Sequence, residues 1–236
     1  MLVRNKKTFS MGFLLAISFL VVLFLIVAPI YDGKNGLNFS DDLFNKLAKG
    51  SSYFIPKIQK SVDGYVGKSF SVTVKMDKAE QVEPATKMLL AAGVQVGTKG
   101  SEITISGDLG QFASRILKDS DAMYHNKGSE IATAYGMNEK EVMRLWWSIL
   151  SKADKQLKKD KKIEEAKLVS EVNKKTVEPA YNFYGIDAQK VIDKAGLMTS
   201  LLVFYVLYTM WWGYAIFYMF DGIGLSMKKA KVKKEV

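Results

Sequence analysis

Two stretches of this chain carry no charged residue over lengths that match a membrane, and they restrict how the rest can fold. Residues 11–30 form the first and residues 197–220 the second. At about 1.5 Å of rise per residue, some 20 residues of helix cross a hydrocarbon core of roughly 30 Å. The rival reading of the first stretch is a cleaved signal peptide behind Arg4, Lys6 and Lys7. Its apolar run exceeds the usual length of about 7 to 15 residues, and Val27, Ala28, Pro29 and Ile30 make a poor small-x-small cleavage site. An uncleaved anchor is therefore the expectation.

Lys and Arg near a span are retained on the cytoplasmic side. Of the formal net charge of +10, +3 lies on residues 1–10, +4 on residues 31–197, −1 on Asp221 and +4 on the stretch holding Lys228, Lys229, Lys231, Lys233 and Lys234 with Glu235. Both ends are thus expected in the cytoplasm of a cell with an inner (plasma) membrane, with residues 31–196 on the far side. The tail lysines are expected to meet anionic lipid headgroups. The high pI then reflects topology, and nucleic acid is not an expected partner. The implied organisation is a leader (1–10), a first span (11–30), an extracytoplasmic α/β domain (31–128), a helical arm (129–196), a second span (197–220) and a basic tail (221–236).

Within the outer region, Phe70, Val72, Val74 and Met76 alternate with Ser69, Ser71, Thr73 and Lys75, the period of a half-buried strand. Ser40 reads as the cap of a short helix ending at Gly50, and Ser51 to Val62 as a second helix with Pro56 in its first turn. Asp77 and Glu80 read as a capping box, with Pro84 arguing for a start nearer Glu83. Val94 and Val96, a turn over residues 97–100, then Ile103 and Ile105 predict a hairpin, and Asp108 caps the next helix. After Gly128 the pattern is helical. Asn138 and Glu141 cap a stretch with Val142, Trp146, Ile149, Leu150, Ala153 and Leu157 on one face. A break near Lys159 and Asp160 would make it a hairpin; otherwise it runs on as one helix toward Pro179. Asp187 is the expected cap of the last helix, with a bend at Gly196. The fold class is therefore an α+β membrane protein: two transmembrane helices flanking an extracytoplasmic α/β sandwich of β-α-β-β-α order, with a long helical arm or helical hairpin.

The chain has no Cys, which removes disulfides, thiolate metal sites, iron–sulfur ligation and covalent haem attachment, and its single His, His125, lies outside both spans. No cofactor and no metal is expected, and Asp119, Asp121 and His125 read as a solvated helix end rather than a ligand set. The run from Gly64 to Ser69 resembles the end of a phosphate-binding loop. It has Val62 where the first glycine belongs and a strand where a helix must begin, so a turn is expected. Trp146 and Trp147 are expected to divide between core and surface, leaving Trp147 as a possible partner contact.

Nine of the twenty-four residues in the second span are aromatic. Phe204, Tyr208, Trp211, Ala215 and Tyr218 follow the spacing of a helix-packing seam, and Gly12 and Ala16 in the first span form a small-xxx-small pair. These residues are expected to pack against other membrane subunits or copies of the chain. The expected function is a non-catalytic accessory or scaffolding subunit of a larger membrane complex, docking through its outer domain; no nucleophile, base and orienting group assemble from spacing, so an enzyme is not expected. The two spans, inward ends and outer α/β domain with long helices resemble the architecture of polysaccharide chain-length determinants. That resemblance implies a homo-oligomeric co-polymerase, although residues 197–227 lack the proline-rich motif of that family. A sensor acting through a partner is the third reading, the short flanking segments leaving no output domain.

Overall fold

A computed structural model describes residues 3–30 and 33–225; Lys228, Lys229, Lys231, Lys233 and Lys234 lie outside the described residues. The protein is a mostly helical α+β chain with one three-stranded antiparallel sheet and two helices long and apolar enough to cross a membrane. It divides into two units, Met1–Phe44 with Lys190–Val236, and Asn45–Gln189.

In the first unit, α1 (Lys6–Val27) packs along α10 (Ala195–Gly222). Small residues set the approach: a Cβ on Gly12 would stand 2.5 Å from the Met219 nitrogen, and one on Gly222 would meet the Phe9 backbone at 2.7 Å. The Gly222 carbonyl accepts the Arg4 and Asn5 N–H groups, both at 2.9 Å. Phe19 stacks on Tyr208 with ring centroids 4.2 Å apart. The sequence places the start of the last helix at Asp187, whereas residues 187–190 are extended, Val191–Lys194 is a 3-10 turn and α10 begins at Ala195.

α2 (Gly36–Ser51) also starts earlier than expected. The Asn35 carboxamide accepts the Asn38 N–H at 2.8 Å, and Ser40, the expected cap, lies inside the helix with its hydroxyl bonded to the Gly36 carbonyl. Asn35 comes first in the chain and caps as well as Ser, so the helix starts there.

The second unit is built on β1 (Ser69–Lys75), β2 (Gln95–Lys99) and β3 (Glu102–Asp108) in the order β1-β3-β2. Ser69 lies opposite Asp108 and Lys75 opposite Glu102, while Lys99 also faces Glu102 across a two-residue turn at Gly100 and Ser101. The expected four-residue turn is thus shortened: Gly97 and Thr98 pair within the ladder, and Gly100 supplies the positive φ the tight turn needs. Phe70, Val72, Val74, Ile103 and Ile105 point into the core, and the other face is polar and open.

Helices cover the apolar face. α3 (Ile55–Asp63) has Pro56 in its first turn, and α4 (Val82–Ala91) follows a 3-10 turn that places Pro84 in its own first turn. Asp77 does not cap α4; it pairs with Lys152 at 2.7 Å. α5 (Leu109–Tyr124) is capped by Asp108, whose carboxylate accepts the Gln111 N–H at 2.9 Å. α6 (Gly128–Tyr135) leads to α7 (Glu139–Lys159), capped by Asn138. The helix then breaks at residues 160–162, with Lys161 at φ +60°, and α8 (Ile163–Val172) doubles back on α7. The hairpin is therefore what forms. One apolar core runs from Ile55 to Ala180, joining Phe112 of α5 to Trp146 of α7 at 5.8 Å between rings.

Two ionisable side chains are buried in this unit. Asp119 accepts hydrogen bonds from the Tyr135 hydroxyl and from Trp146 Nε1 at 3.0 Å, and lies 3.3 Å from Arg115 Nε, tying α5, α6 and α7 together. Burial pushes its carboxyl above the ordinary range, against the lowering pull of Tyr135, Arg115 and Trp146. Lys49 of α2 donates to the Ile186 carbonyl at 2.5 Å and to the Asn126 carboxamide at 3.1 Å, while the Tyr124 hydroxyl donates to the Lys49 carbonyl. Asn126, at φ +60°, also accepts the Gly185 N–H at 2.8 Å, and Gln189 N–H bonds the Lys46 carbonyl at 3.0 Å. Lys49 and Asn126 thereby stitch the chain entering this unit to the chain leaving it.

Three outcomes follow from this packing. Lys49→Met strands the Ile186 carbonyl and lowers unfolding stability by about 1–3 kcal/mol, with faster amide exchange at Gly185 and Gln189. Because the folded state holds the Asp119 proton more tightly than the unfolded state, stability falls as pH rises from the ordinary carboxylate range to the raised pKa. Asp119→Asn removes that descent, which urea titrations of both proteins across acidic pH will show. Gly12→Leu separates α1 from α10 and abolishes short-linker crosslinking between cysteines placed at Phe19 and Tyr208. Gly196→Leu, where an added Cβ meets nothing within 4 Å, leaves the crosslink intact.

Candidate partner interface

α7 carries two adjacent indoles, and successive helical residues diverge by about 100°, so both cannot enter the core. Trp146 is fully buried and Trp147 is 46% exposed. Trp147, with Met143 and Arg144 one turn back, forms one wall of a cleft of about 300 Å3. Val177, Glu178, Tyr181 and Asn182 form the other. The indole is held in place, since Trp147 Nε1 donates to Glu178 at 2.9 Å. The Arg144 guanidinium lies 3.4 Å from the Tyr181 hydroxyl, which holds its pKa further above the ordinary range and keeps it charged. A fixed aromatic surface next to a permanent cation is the chemistry of an interface anchor.

The far wall exists because of how the chain passes Pro179. Proline has no N–H, and its ring collides with the carbonyl four residues earlier, so an α-helix from α8 cannot continue through it. The chain widens instead into a π turn at Asn173–Val177, in which Glu178 N–H reaches the Asn173 carbonyl five residues back, and α9 (Glu178–Asn182) follows. Asn173 is buried beneath the turn, donating to the Ser151 hydroxyl at 2.9 Å and to the Trp147 carbonyl at 3.3 Å. The extra residue rotates Glu178 and Tyr181 toward Trp147. Proline signals a break in the sequence, but the π turn that absorbs it depends on Asn173 finding partners on α7, which spacing does not reveal.

In the spans, Gly12, Ala16 and Ala215 are buried where α1 meets α10, and Tyr208, Trp211 and Tyr218 are partly covered. Trp211 Nε1 donates to the Leu15 carbonyl at 3.1 Å. The seam read from the sequence thus faces the chain's own α1, apart from Phe204, which is 43% exposed. Sequence reasoning missed the flanks of α10. Tyr205 and Tyr214, nine residues apart and so about 180° apart around the helix, project on either side of the seam, 64% and 51% exposed, and their hydroxyls make no hydrogen bond among the described residues. Both lie within about 10 Å of the helix midpoint at 1.5 Å per residue, and the Cβ tilt toward the N-terminus leans Tyr214 inward.

The remaining sequence candidates fall outside these surfaces. Asp119 turns into the core, whereas Asp121 accepts the Tyr53 hydroxyl at 2.6 Å and His125 Nδ1 lies 2.9 Å from the Asp121 carbonyl. No group of three His, Asp or Glu among the described residues is placed to hold a metal. The glycine run at residues 64–69 is a turn into β1. Its Gly67 N–H donates to the Asp108 carboxylate at 2.6 Å, and that negative charge stands where a phosphate would have to bind. Compared with known proteins, the chain matches no family model, no curated protein and no solved structure.

Proposed function

We propose that this chain is a non-catalytic accessory or scaffolding subunit of a larger membrane complex. α1 and α10 cross the membrane, both ends lie in the cytoplasm, and residues 45–189 form the docking domain on the opposite side. The basic residues flanking the spans support that orientation, and the tail lysines meet anionic headgroups.

The observation that carries the reading is the pair of exposed tyrosines on the two flanks of α10. Lipid tails offer no hydrogen-bond partner, and a phenol hydroxyl buried in hydrocarbon costs free energy that a neighbouring helix can recover. With α1 already packed on the seam, Tyr205 and Tyr214 still need partners from another chain. Trp147 supplies the second contact: covering its exposed half would remove about 100 Å2 from water, worth ~2.5 kcal/mol. The buried ionisable groups Asp119 and Lys49 are engaged within the fold and leave the docking surfaces to side chains suited to contact rather than chemistry.

Extraction of the protein from its native membrane in mild detergent, followed by sizing and mass spectrometry, is expected to give a stoichiometric assembly with different membrane proteins. Tyr205→Phe with Tyr214→Phe weakens that assembly by about 1 kcal/mol, and Trp147→Ala weakens it by about 2 kcal/mol. A homogeneous ring or bundle of this chain alone would overturn the reading in favour of a homo-oligomeric co-polymerase.

A further inference from the structure

On the side of α8 away from the core, Ile163, Lys167, Ser170 and Lys174 follow at intervals of four, three and four, one stripe of a helix about 16 Å long at 1.5 Å per residue. With Lys158 of α7, and with Glu171 and its partner Lys175, they line a groove of about 420 Å3. Residues 152–175 hold nine lysines against five carboxylates. Two of those carboxylates, Asp154 and Glu171, are taken up by Lys158 at 2.8 Å and Lys175 at 2.9 Å. Lys159, Lys161, Lys162, Lys167 and Lys174 make no ion pair among the described residues. Lys161 adds a cation at φ +60°, where the backbone alone favours glycine or asparagine. Ile163 begins the stripe 56% exposed, an aliphatic side chain set among ammonium groups.

The shape decides between two anionic occupants. A lipid surface is flat and meets cations that share a plane, whereas here Lys158 of α7 stands across a groove from Lys167 of α8 and Lys174 of the turn that follows it. An acidic helix laid in the groove presents carboxylates to both sides and one apolar side chain to Ile163. We infer that this groove docks an acidic helical segment of the partner subunit, with Asp or Glu residues three or four apart facing Lys158, Lys167 and Lys174. The inference rests on the accessory-subunit reading and names the chemistry of the partner.

The test uses the full chain in nanodiscs of phosphatidylcholine. The probe is a synthetic helical peptide with Glu at helical spacing and one Leu, compared with the same peptide carrying Gln for Glu and with phosphatidylglycerol vesicles. The Glu peptide is expected to bind at low salt and be released at high salt, with Lys167→Glu plus Lys174→Glu weakening it about tenfold. Lys167→Gln plus Lys174→Gln, which removes charge without reversing it, gives a smaller loss in the same direction. Equal binding of the Gln peptide, no effect of either variant, or binding of the vesicles without the Glu peptide would each overturn the inference. A native assembly that survives while the Glu peptide fails removes only the acidic groove; a chain that purifies alone removes the accessory reading whatever the peptide does.

Discussion

A three-stranded sheet with one apolar face cannot stand alone in water, and the arrangement of residues 45–189 follows from the need to cover that face. Burying Phe70, Val72, Val74, Ile103 and Ile105 requires helices that reach across the strands. α4 does part of this locally, as the crossover between β1 and β2, and β3 inserts between those two strands. The larger part falls to α5 and α7, where Phe112 packs between Phe70 at 5.3 Å and Trp146 at 5.8 Å. Covering the sheet with an indole brings an N–H into the core, and that N–H must be bonded. Asp119 is the acceptor, and its own desolvation is then offset by Tyr135 and Arg115. The buried polar node is therefore a consequence of choosing tryptophan, and it fixes how α5, α6 and α7 meet.

Trp146 also determines the outer surface. Once one indole of the pair is committed inward, its neighbour must face away from the core, and it stands over whatever part of the chain returns along α7. That part is the π turn and α9, because α8 doubles back after the break at residues 160–162. The Trp147 cleft thus joins two local constraints, the tryptophan pair on one helix and the widened turn ahead of Pro179 on the other. Lys174, seven residues after Lys167, stays in line with the α8 stripe as an ordinary helix would place it, and the widening beyond it turns Glu178 toward Trp147.

Elements governed by their own residues were legible in the sequence. Strict alternation located β1, Asp108 and Asn138 capped the helices that follow them, and the apolar face of α7 was read apart from Met143 and Leu145, which are also buried. Errors arose where an earlier residue served as well or a more distant partner was found. Ser40 lost the cap to Asn35, which stands five residues earlier. Asp77 was drawn to Lys152, seventy-five residues away, and the stretch after Asp187 is held by the Gln189 N–H bond to the Lys46 carbonyl. The turn of the hairpin shortened because pairing Gly97 and Thr98 with Thr104 and Ile103 adds ladder bonds that a wider turn forfeits. In the candidate interface, Trp147 was visible as half of a pair, whereas Glu178 and Tyr181 became visible only through the π turn. None of these long-range partners has a sequence period.

The two apolar helices show how far a single chain can satisfy its own apolar surface. Glycine at positions 12 and 222 allows backbones to touch, and that closeness lets Trp211 reach the carbonyl of Leu15. The same contact shields the Tyr208 hydroxyl, which has no partner among the described residues. One side of α10 is thus nearly solved by α1, at the cost of one unmet hydroxyl. A helix carrying aromatic residues around its whole circumference has other sides, however, and a second helix can cover only one of them. An anchor required merely to hold a domain at a membrane would place aliphatic residues on those sides, where lipid accepts them without loss. Tyr205 and Tyr214 stand on two of those sides, on opposite flanks of the contact with α1, and their hydroxyls are what supports the proposal of further neighbours.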